Sequence, residues 1–401
     1  MILKKKKILI GVTGGIAAYK TCELIRALVK SECEVRVVMT EAASHFVTAL
    51  TFETLTGNPV HCDPFEHGTK HIDLARWADC IVVSPATANT ISKVASGIAD
   101  NLLSTMIMAA NIPVIFCPAM NVQMYLNPLF QRNVDALKQL SYHFVEPEQG
   151  ELACGEYGWG RLAETPQIID YIKRVLSSNQ ELLGKRVVVT AGPTIEAIDP
   201  VRFISNHSSG KMGFALAEAA ALRGAHVRLI SGPNQLRPFS GIEYTSVQSA
   251  REMHDEVFRN WDEIDILIMA AAVADYRPQH MHDQKIKKQE QPLVLQLSPT
   301  EDILFEAGQK KGHRRLIGFA LETEHGIENA IRKMVSKNLD LIVLNNPLEE
   351  GAGFDVDTNR VTIIDTEKHI TDLTVMSKIE VAHKILDNLI ALLEGHEFGT
   401  E

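Results

Sequence analysis

The chain has 401 residues, of which 45% are hydrophobic and 22% charged, and it carries a net charge of −10. That length accommodates two or three domains with ample cores, in a composition ordinary for a soluble globular protein. The negative balance argues against a general nucleic-acid or membrane-surface binder, and no apolar run approaches transmembrane length.

In chain order, Lys4–Lys7 imitates the basic start of a signal peptide, but the apolar stretch behind it is short and is broken by the glycines of GVTGG. It reads as the solvated lead-in to a strand. Strand-like runs KILIGV, EVRVVMT, CIVVSPA and PVIFCPA then alternate with helical patterns, the first from about Ala17 to Lys30. A polar stretch at about 175–186, VLSSNQELLGKR, precedes a fresh series: KRVVVTAGPT, a helix from about Lys211 to Arg223, AHVRLISGP, DILIMAAAVADYRP, RLIGFALET and LDLIVLNNP. Short β-rich runs separated by helices predict two doubly wound α/β domains, 1–180 and 185–401. All six cysteines (Cys22, Cys33, Cys62, Cys80, Cys117, Cys154) fall in the first half without a CxxC pair. A disulfide framework or zinc site is therefore not expected, and a reducing cytoplasm is. Five cysteines read as packing residues.

Ligands of open α/β sheets sit at strand carboxyl ends. At the first, Gly14 and Gly15 lie in a turn whose free N–H groups suit a phosphate, although turn chemistry alone explains it equally well. The second strand ends at Thr40, where a nicotinamide site would want an acid, and Glu41 keeps that alternative open. SPATANTISKVASGIADNLLST sets Thr87 and Asn89 at a strand exit, followed by the hydroxyls Ser104 and Thr105. PATANT, GIADNLL and PAMN in this order resemble the flavodoxin-like, FMN-binding cysteine decarboxylases. The resemblance implies FMN among Gly14, Gly15, Ala17, Thr40, Ala86, Thr87, Asn89, Ser104 and Thr105. It also implies His71 as a base at a helix start, and Asn121 as the holder of a substrate carboxylate. Asparagine also caps helices well, and a lone histidine is more often structural. By the same analogy Cys154, in the glycine-rich ACGEYGWGRLAE, is the acid that protonates the product-forming intermediate. Oxidation of the thiol-bearing carbon by the flavin would let the electrons left by CO₂ delocalise onto sulfur; the reduced flavin then returns the hydride and an acid supplies a proton, so the reaction is redox-neutral overall.

In the second half, ISNHSSGKMG looks like a damaged P-loop, with Ser205 and Met212 where Gly and Ser or Thr belong. AGPTIEAIDPVRFISNHSSGKMG, AAAVADYRP, KIKK and GFALET together resemble the phosphopantothenate–cysteine ligases. With the first half, nearly the whole chain resembles the fused decarboxylase–ligases of bacterial coenzyme A synthesis. That resemblance implies 4′-phosphopantothenate, cysteine, CTP and phosphopantothenoylcysteine as ligands, with an acyl-cytidylate on the way. It makes Lys285 the activating cation, Asn206 the group that stabilises the acyl intermediate, and Arg202 a holder of substrate phosphate or carboxylate. Ser208, Ser209 and Gly210 present donors at a helix entrance, and Lys211 reads as its solvated first turn. Asp275, at another strand carboxyl end, is expected to bind the nucleotide or its Mg²⁺, with a helix cap as the plain alternative. The resemblance also places Phe319, Lys333, Lys337 and, more loosely, Asp302 and Ile303 by the nucleotide; Lys333 and Lys337, four residues apart, share a helix face, for which an exposed basic surface is the ordinary explanation. A solvated charge run is the plain alternative for Lys285, Lys287 and Lys288. Leu321 in GFALET and the LNNP ending depart from the family pattern. Trimeric decarboxylase and dimeric ligase contacts, together a dodecamer, are implied as well. A nicotinamide dehydrogenase and a non-catalytic flavoprotein regulator are the rivals; the second could dispense with His71 or Cys154, yet both are present.

Overall fold

The computed structural model describes residues 2–63, 69–153, 155–288, 292–322, 324–345, 353 and 356–394. The chain divides into two compact units, Met1–Ser178 and Asn179–Glu401.

In the first unit, β1 (Lys7–Val12), β2 (Glu34–Met39), β3 (Val60–His61), β4 (Cys80–Ala86), β5 (Val114–Pro118) and β6 (His143–Phe144) form a parallel sheet. Its order is β3-β2-β1-β4-β5-β6. Without the two-residue edge strand β3, this is the flavodoxin order, with its switch point between β1 and β4. Helices α1 (Thr21–Lys30), α2 (Ala49–Thr56), α3 (Lys70–Trp77), α4 (Ala88–Ala95), α5 (Leu102–Ala109), α6 (Val122–Leu126), α7 (Pro128–Gln139) and α8 (Thr165–Leu176) complete it, with a hairpin of β7 (Glu148–Glu151) and β8 (Tyr157–Arg161). Both sheet faces are buried, so the strands read as apolar runs. Ile8, Ile10 and Val12 pack with Leu24, Phe52 and Ile168 on one face, while Leu9 packs with Leu74, Ile91 and Leu103 on the other. Full burial of a side chain such as Phe116 contributes about 1.5–3 kcal/mol.

The helix expected from Ala17 opens as a 3₁₀ turn over Ile16–Lys20, and α1 starts at Thr21, whose hydroxyl is anchored on the Ser84 carbonyl at 2.7 Å. Cys33, Cys80 and Cys117 are buried; burial pushes the Cys33 thiol up to about 11 and that of Cys80 up to about 12. Cys62 is exposed, so it does not pack as expected. The stretch 175–186 is not a plain polar linker. It begins within α8, and Leu182 is buried with its N–H on the Arg223 carbonyl.

In the second unit, β9 (Arg186–Ala191), β12 (His226–Ser231), β13 (Glu243–Ser246), β14 (Ile266–Met269), β17 (Arg315–Leu321) and β18 (Leu341–Asn345) are parallel, in the order β13-β12-β9-β14-β17-β18. Counted among themselves they run 3-2-1-4-5-6, the Rossmann order, with the switch between β9 and β14. Antiparallel β20 (Val361–Asp365) and β21 (Ile370–Asp372) extend the edge. The short pairs β10 (Ile195–Ala197) with β11 (Phe203–Ser205), β15 (Tyr276–Pro278) with β16 (Leu297–Pro299), and β19 (Thr358–Asn359) with β22 (Met376–Ser377) lie outside this sheet. The helices are α9 (Lys211–Leu222), α10 (Ala250–Phe258), α11 (Ile303–Gln309), α12 (Gly326–Ser336) and α13 (Lys378–Glu394). Buried Arg223, at the end of α9, donates to the His383 carbonyl at 3.0 Å and to Asp387 at 2.6 Å, tying α9 to α13. No helix among the described residues is long and apolar enough to cross a membrane.

Candidate functional site

At the first switch point the exits of β1 and β4 are tied together. Thr13 donates to the Pro85 carbonyl at 2.7 Å and accepts from the Thr87 N–H at 3.0 Å. Thr87 in turn caps α4 through the Thr90 N–H. A cleft of about 1140 Å³ opens here. Gly14, Gly15, Ala17, Thr40, Thr87, Asn89 and Asn121 line it, all expected from the sequence. Gly14 closes on the next loop: a Cβ there would stand 2.5 Å from the Ala42 Cβ and 2.9 Å from its carbonyl oxygen. The lining joins apolar Ile16, Met120, Met124 and Leu162 to cationic Lys20, Lys93 and Arg161. An apolar wall beside main-chain donors and cations suits a flat ring system carrying a phosphate.

Three expected contacts are not among the lining residues. Ala86 is fully buried in β4. Ser104 is buried, and its hydroxyl closes a capping box with Asn101 at the start of α5. The Thr105 hydroxyl donates to the Ala99 and Asn101 carbonyls. His71 is the second residue of α3 and likewise lies outside the lining. Cys154 lies outside the described residues. The β8 arm of the hairpin is held by two neighbouring residues: Asn121 Nδ2 donates to Glu156 at 2.6 Å, and the Met120 N–H donates to the Gly160 carbonyl at 3.0 Å. Asn121 also caps α6 with its other amide atom, accepting from the Gln123 N–H at 2.8 Å. Lining residues missed from the sequence include Lys20 and Arg161, which share Glu164 at 3.5 and 2.6 Å, and Lys93, which pairs with Asp100 at 2.6 Å. For Lys20 and Arg161, a cation following a glycine-bearing stretch was the available signal.

In the second unit, the loops leaving β9 and β14 meet. Asn206 donates to the Ala272 and Val273 carbonyls at 3.3 and 3.0 Å, and the Ala274 N–H donates to the Thr194 hydroxyl. The Gly210 N–H, expected to face a phosphate, instead donates to the Ser208 hydroxyl at 3.3 Å. Ser209 lies between them. Lys211 is not merely solvated; it pairs with Asp357 at 2.7 Å. Arg202 is engaged with Asp199 at 2.7 Å and with the Ile286 carbonyl at 3.0 Å. Lys285 is exposed one residue before that carbonyl, and Asp275 is exposed after β14.

Lys333 and Lys337 share a face of α12, but this is no plain basic surface. Lys333 reaches the Phe319 carbonyl at 2.7 Å, and burial followed by the charge of Lys337 holds its pKa below the ordinary lysine value. Lys337 pairs with Asp302 at 2.7 Å, and Asp302 also caps α11 through the Phe305 N–H. Ile303 is buried in the core of this unit. Among the described residues, no three or more His, Cys, Asp or Glu side chains group closely enough to hold a metal ion.

A family model described as Flavoprotein matches residues 2–177, and one described as DNA/pantothenate metabolism flavoprotein C-terminal domain matches residues 182–393. The chain is thus a flavoprotein of two doubly wound units, the second Rossmann-like. Coenzyme A biosynthesis bifunctional protein CoaBC of Bacillus subtilis (strain 168) is 48% identical over 398 residues, covering 98% of each chain. The same-named protein of Haemophilus influenzae (strain ATCC 51907 / DSM 11121 / KW20 / Rd) is 44% identical over 395 residues, covering 97% of this chain and 98% of that one. A cysteine/cysteine sulfinic acid decarboxylase from an unknown prokaryotic organism is 47% identical over 357 residues, covering 86% and 99%. This chain belongs to the CoaBC family of bifunctional coenzyme A biosynthesis proteins.

Proposed function

We propose that the second unit joins 4′-phosphopantothenate to cysteine at the expense of CTP, through an acyl-cytidylate. The first unit then decarboxylates phosphopantothenoylcysteine to 4′-phosphopantetheine. The observation that carries this reading is 48% identity to a bifunctional relative across 98% of both chains.

The first-unit cleft is proposed to hold FMN, its phosphate at the Gly14–Gly15 turn and its ring along the apolar wall. The close approach of Gly14 to Ala42 supports a turn built for main-chain donors rather than side chains. Bound FMN supplies two-electron redox chemistry at the thiol-bearing carbon. Asn121 presents amide donors to the substrate carboxylate, a contact for which Glu156 already provides a carboxylate partner in this structure. His71 serves as base and Cys154 as acid.

In the second unit, Lys285 is the cation that meets the reacting phosphate, and Asn206 orients the acyl group. Lys333 and Lys337, with the backbone about Phe319, take the nucleotide side, and Ser208 and Ser209 face the substrate at the α9 entrance. Mg²⁺ enters as the counter-ion of the triphosphate, which needs only one or two protein carboxylates, and Asp275 is the one proposed. Trimeric contacts of the first unit and dimeric contacts of the second would build a dodecamer, which light scattering measures.

A coupled assay with product masses tests the reading. Yellow protein that releases FMN and forms phosphopantetheine, faster with CTP than with ATP, is expected. Colourless protein that does not rebind FMN overturns the first half, and no ligated product with either nucleotide overturns the second. Cysteamine from free cysteine as the sole product would assign instead the activity for which the cysteine decarboxylase relative is named.

A further inference from the structure

The turn 198–202 holds a carboxylate that the proposed chemistry does not use. Asp199 is 2% exposed, yet it accepts four hydrogen bonds. Oδ1 takes the Val201 and Arg202 N–H groups, both at 2.8 Å, which closes the turn. Oδ2 takes Arg202 Nη1 at 2.7 Å and the Ile286 N–H at 3.1 Å. Arg202 Nη1 also donates to the Ile286 carbonyl at 3.0 Å, and the His282 N–H donates to the Ile198 carbonyl at 3.0 Å. Both edges of residue 286 are therefore gripped by one ion pair. The segment that carries Lys285, Lys287 and Lys288 is fixed at a residue lying among those lysines.

A carboxylate with both oxygens saturated has little capacity left to act as acid or base. What it does is hold. Lys285 has a flexible four-carbon stem, so the position of its backbone sets the volume its ammonium searches. We propose that Asp199, with Arg202 as its strut, is a positioning residue that presents Lys285 to the activation step. This rests on the reading of Lys285 given above.

Asp199→Asn separates the two tasks of this side chain. With its oxygen kept toward Val201 and Arg202, the turn retains its own bonds. The amide NH₂ then replaces Oδ2 and sets a donor against the Ile286 N–H and the guanidinium. The full-length variant should release pyrophosphate from CTP and phosphopantothenate about 10²-fold more slowly, since misplacing a reacting group by about 1 Å costs that much. The loss should fall in kcat, with KM for phosphopantothenate unchanged. Trypsin should cut faster after Lys285, Lys287 and Lys288, while decarboxylation of supplied phosphopantothenoylcysteine stays at the wild-type rate.

Lys285→Gln calibrates the assay. If it releases pyrophosphate at the wild-type rate, the reading of Lys285 fails. If it is slow while Asp199→Asn matches wild type, the positioning inference fails. Combining the two should give no further loss beyond Lys285→Gln alone, because both act through one group, whereas a general structural defect would compound. Should Asp199→Asn fail to fold, Ile286→Pro deletes the pinned N–H from the other side. Wild-type pyrophosphate release by that variant overturns the proposal.

Discussion

Gly160→Ala is the sharpest test of the hairpin beside the first-unit cleft. Gly160 has φ +132°, which L side chains rarely adopt, and an added Cβ would stand 2.1 Å from the Met120 carbonyl oxygen. That is more than 1 Å short of ordinary contact, and the obstacle is backbone rather than a side-chain tip that could swing away. Backbone strain of this type costs about 1–3 kcal/mol, and displacing β8 also removes the bond from the Met120 N–H to the Gly160 carbonyl, worth about 1 kcal/mol. The closed hairpin is then disfavoured by about 2–4 kcal/mol, or roughly 30- to 10³-fold in population. Decarboxylation of supplied phosphopantothenoylcysteine, followed in a single turnover, should fall within that range. Pyrophosphate release by the second unit of the same chain is the internal control and should not change. Wild-type decarboxylation by Gly160→Ala would refute the link between hairpin position and catalysis.

Two further substitutions probe other parts of the molecule. Gly14→Ala forces a methyl against Ala42, and overpacking of about 1–3 kcal/mol should weaken FMN binding roughly 5- to 150-fold, read by quenching of flavin fluorescence; unchanged affinity would remove this turn from the flavin site. In the second unit, burial and then the charge of Arg223 hold the His383 pKa below 6.5. The unfolded chain binds the extra proton first, so this stability is full above pH 6.5 and declines as pH falls toward the lowered value. His383→Gln should flatten that part of the melting-temperature profile, and an unaltered slope would reject the assignment.

The α/β alternation was legible because buried parallel strands leave unmistakable apolar runs: KILIGV and CIVVSPA became β1 and β4. The hydroxyls and glycines at strand exits were legible for the same topological reason, and Thr40, Thr87 and Asn89 line the cleft. What escaped were choices between equally local uses of one side chain. Ser104 and Thr105 have the composition of a phosphate site, yet the start of α5 takes their hydroxyls. The i, i+4 spacing of Lys333 and Lys337 predicted a shared face but not that one ammonium would be drawn under the Phe319 carbonyl. KIKK could read as a solvated charge run because its anchor, Asp199, lies 87 residues upstream of Ile286, a separation that no local pattern reports.

The tie between Thr13, Pro85 and Thr87 has a consequence for variation among relatives. Its hydroxyl faces the protein, serving one carbonyl and one N–H of the neighbouring strand exit. The strand exits at this mouth are therefore held in place by a side chain that is not itself among the lining residues of the cleft. A change at Thr13 would disturb the cleft without removing a single residue from its lining, so relatives that share every lining residue could still differ in affinity.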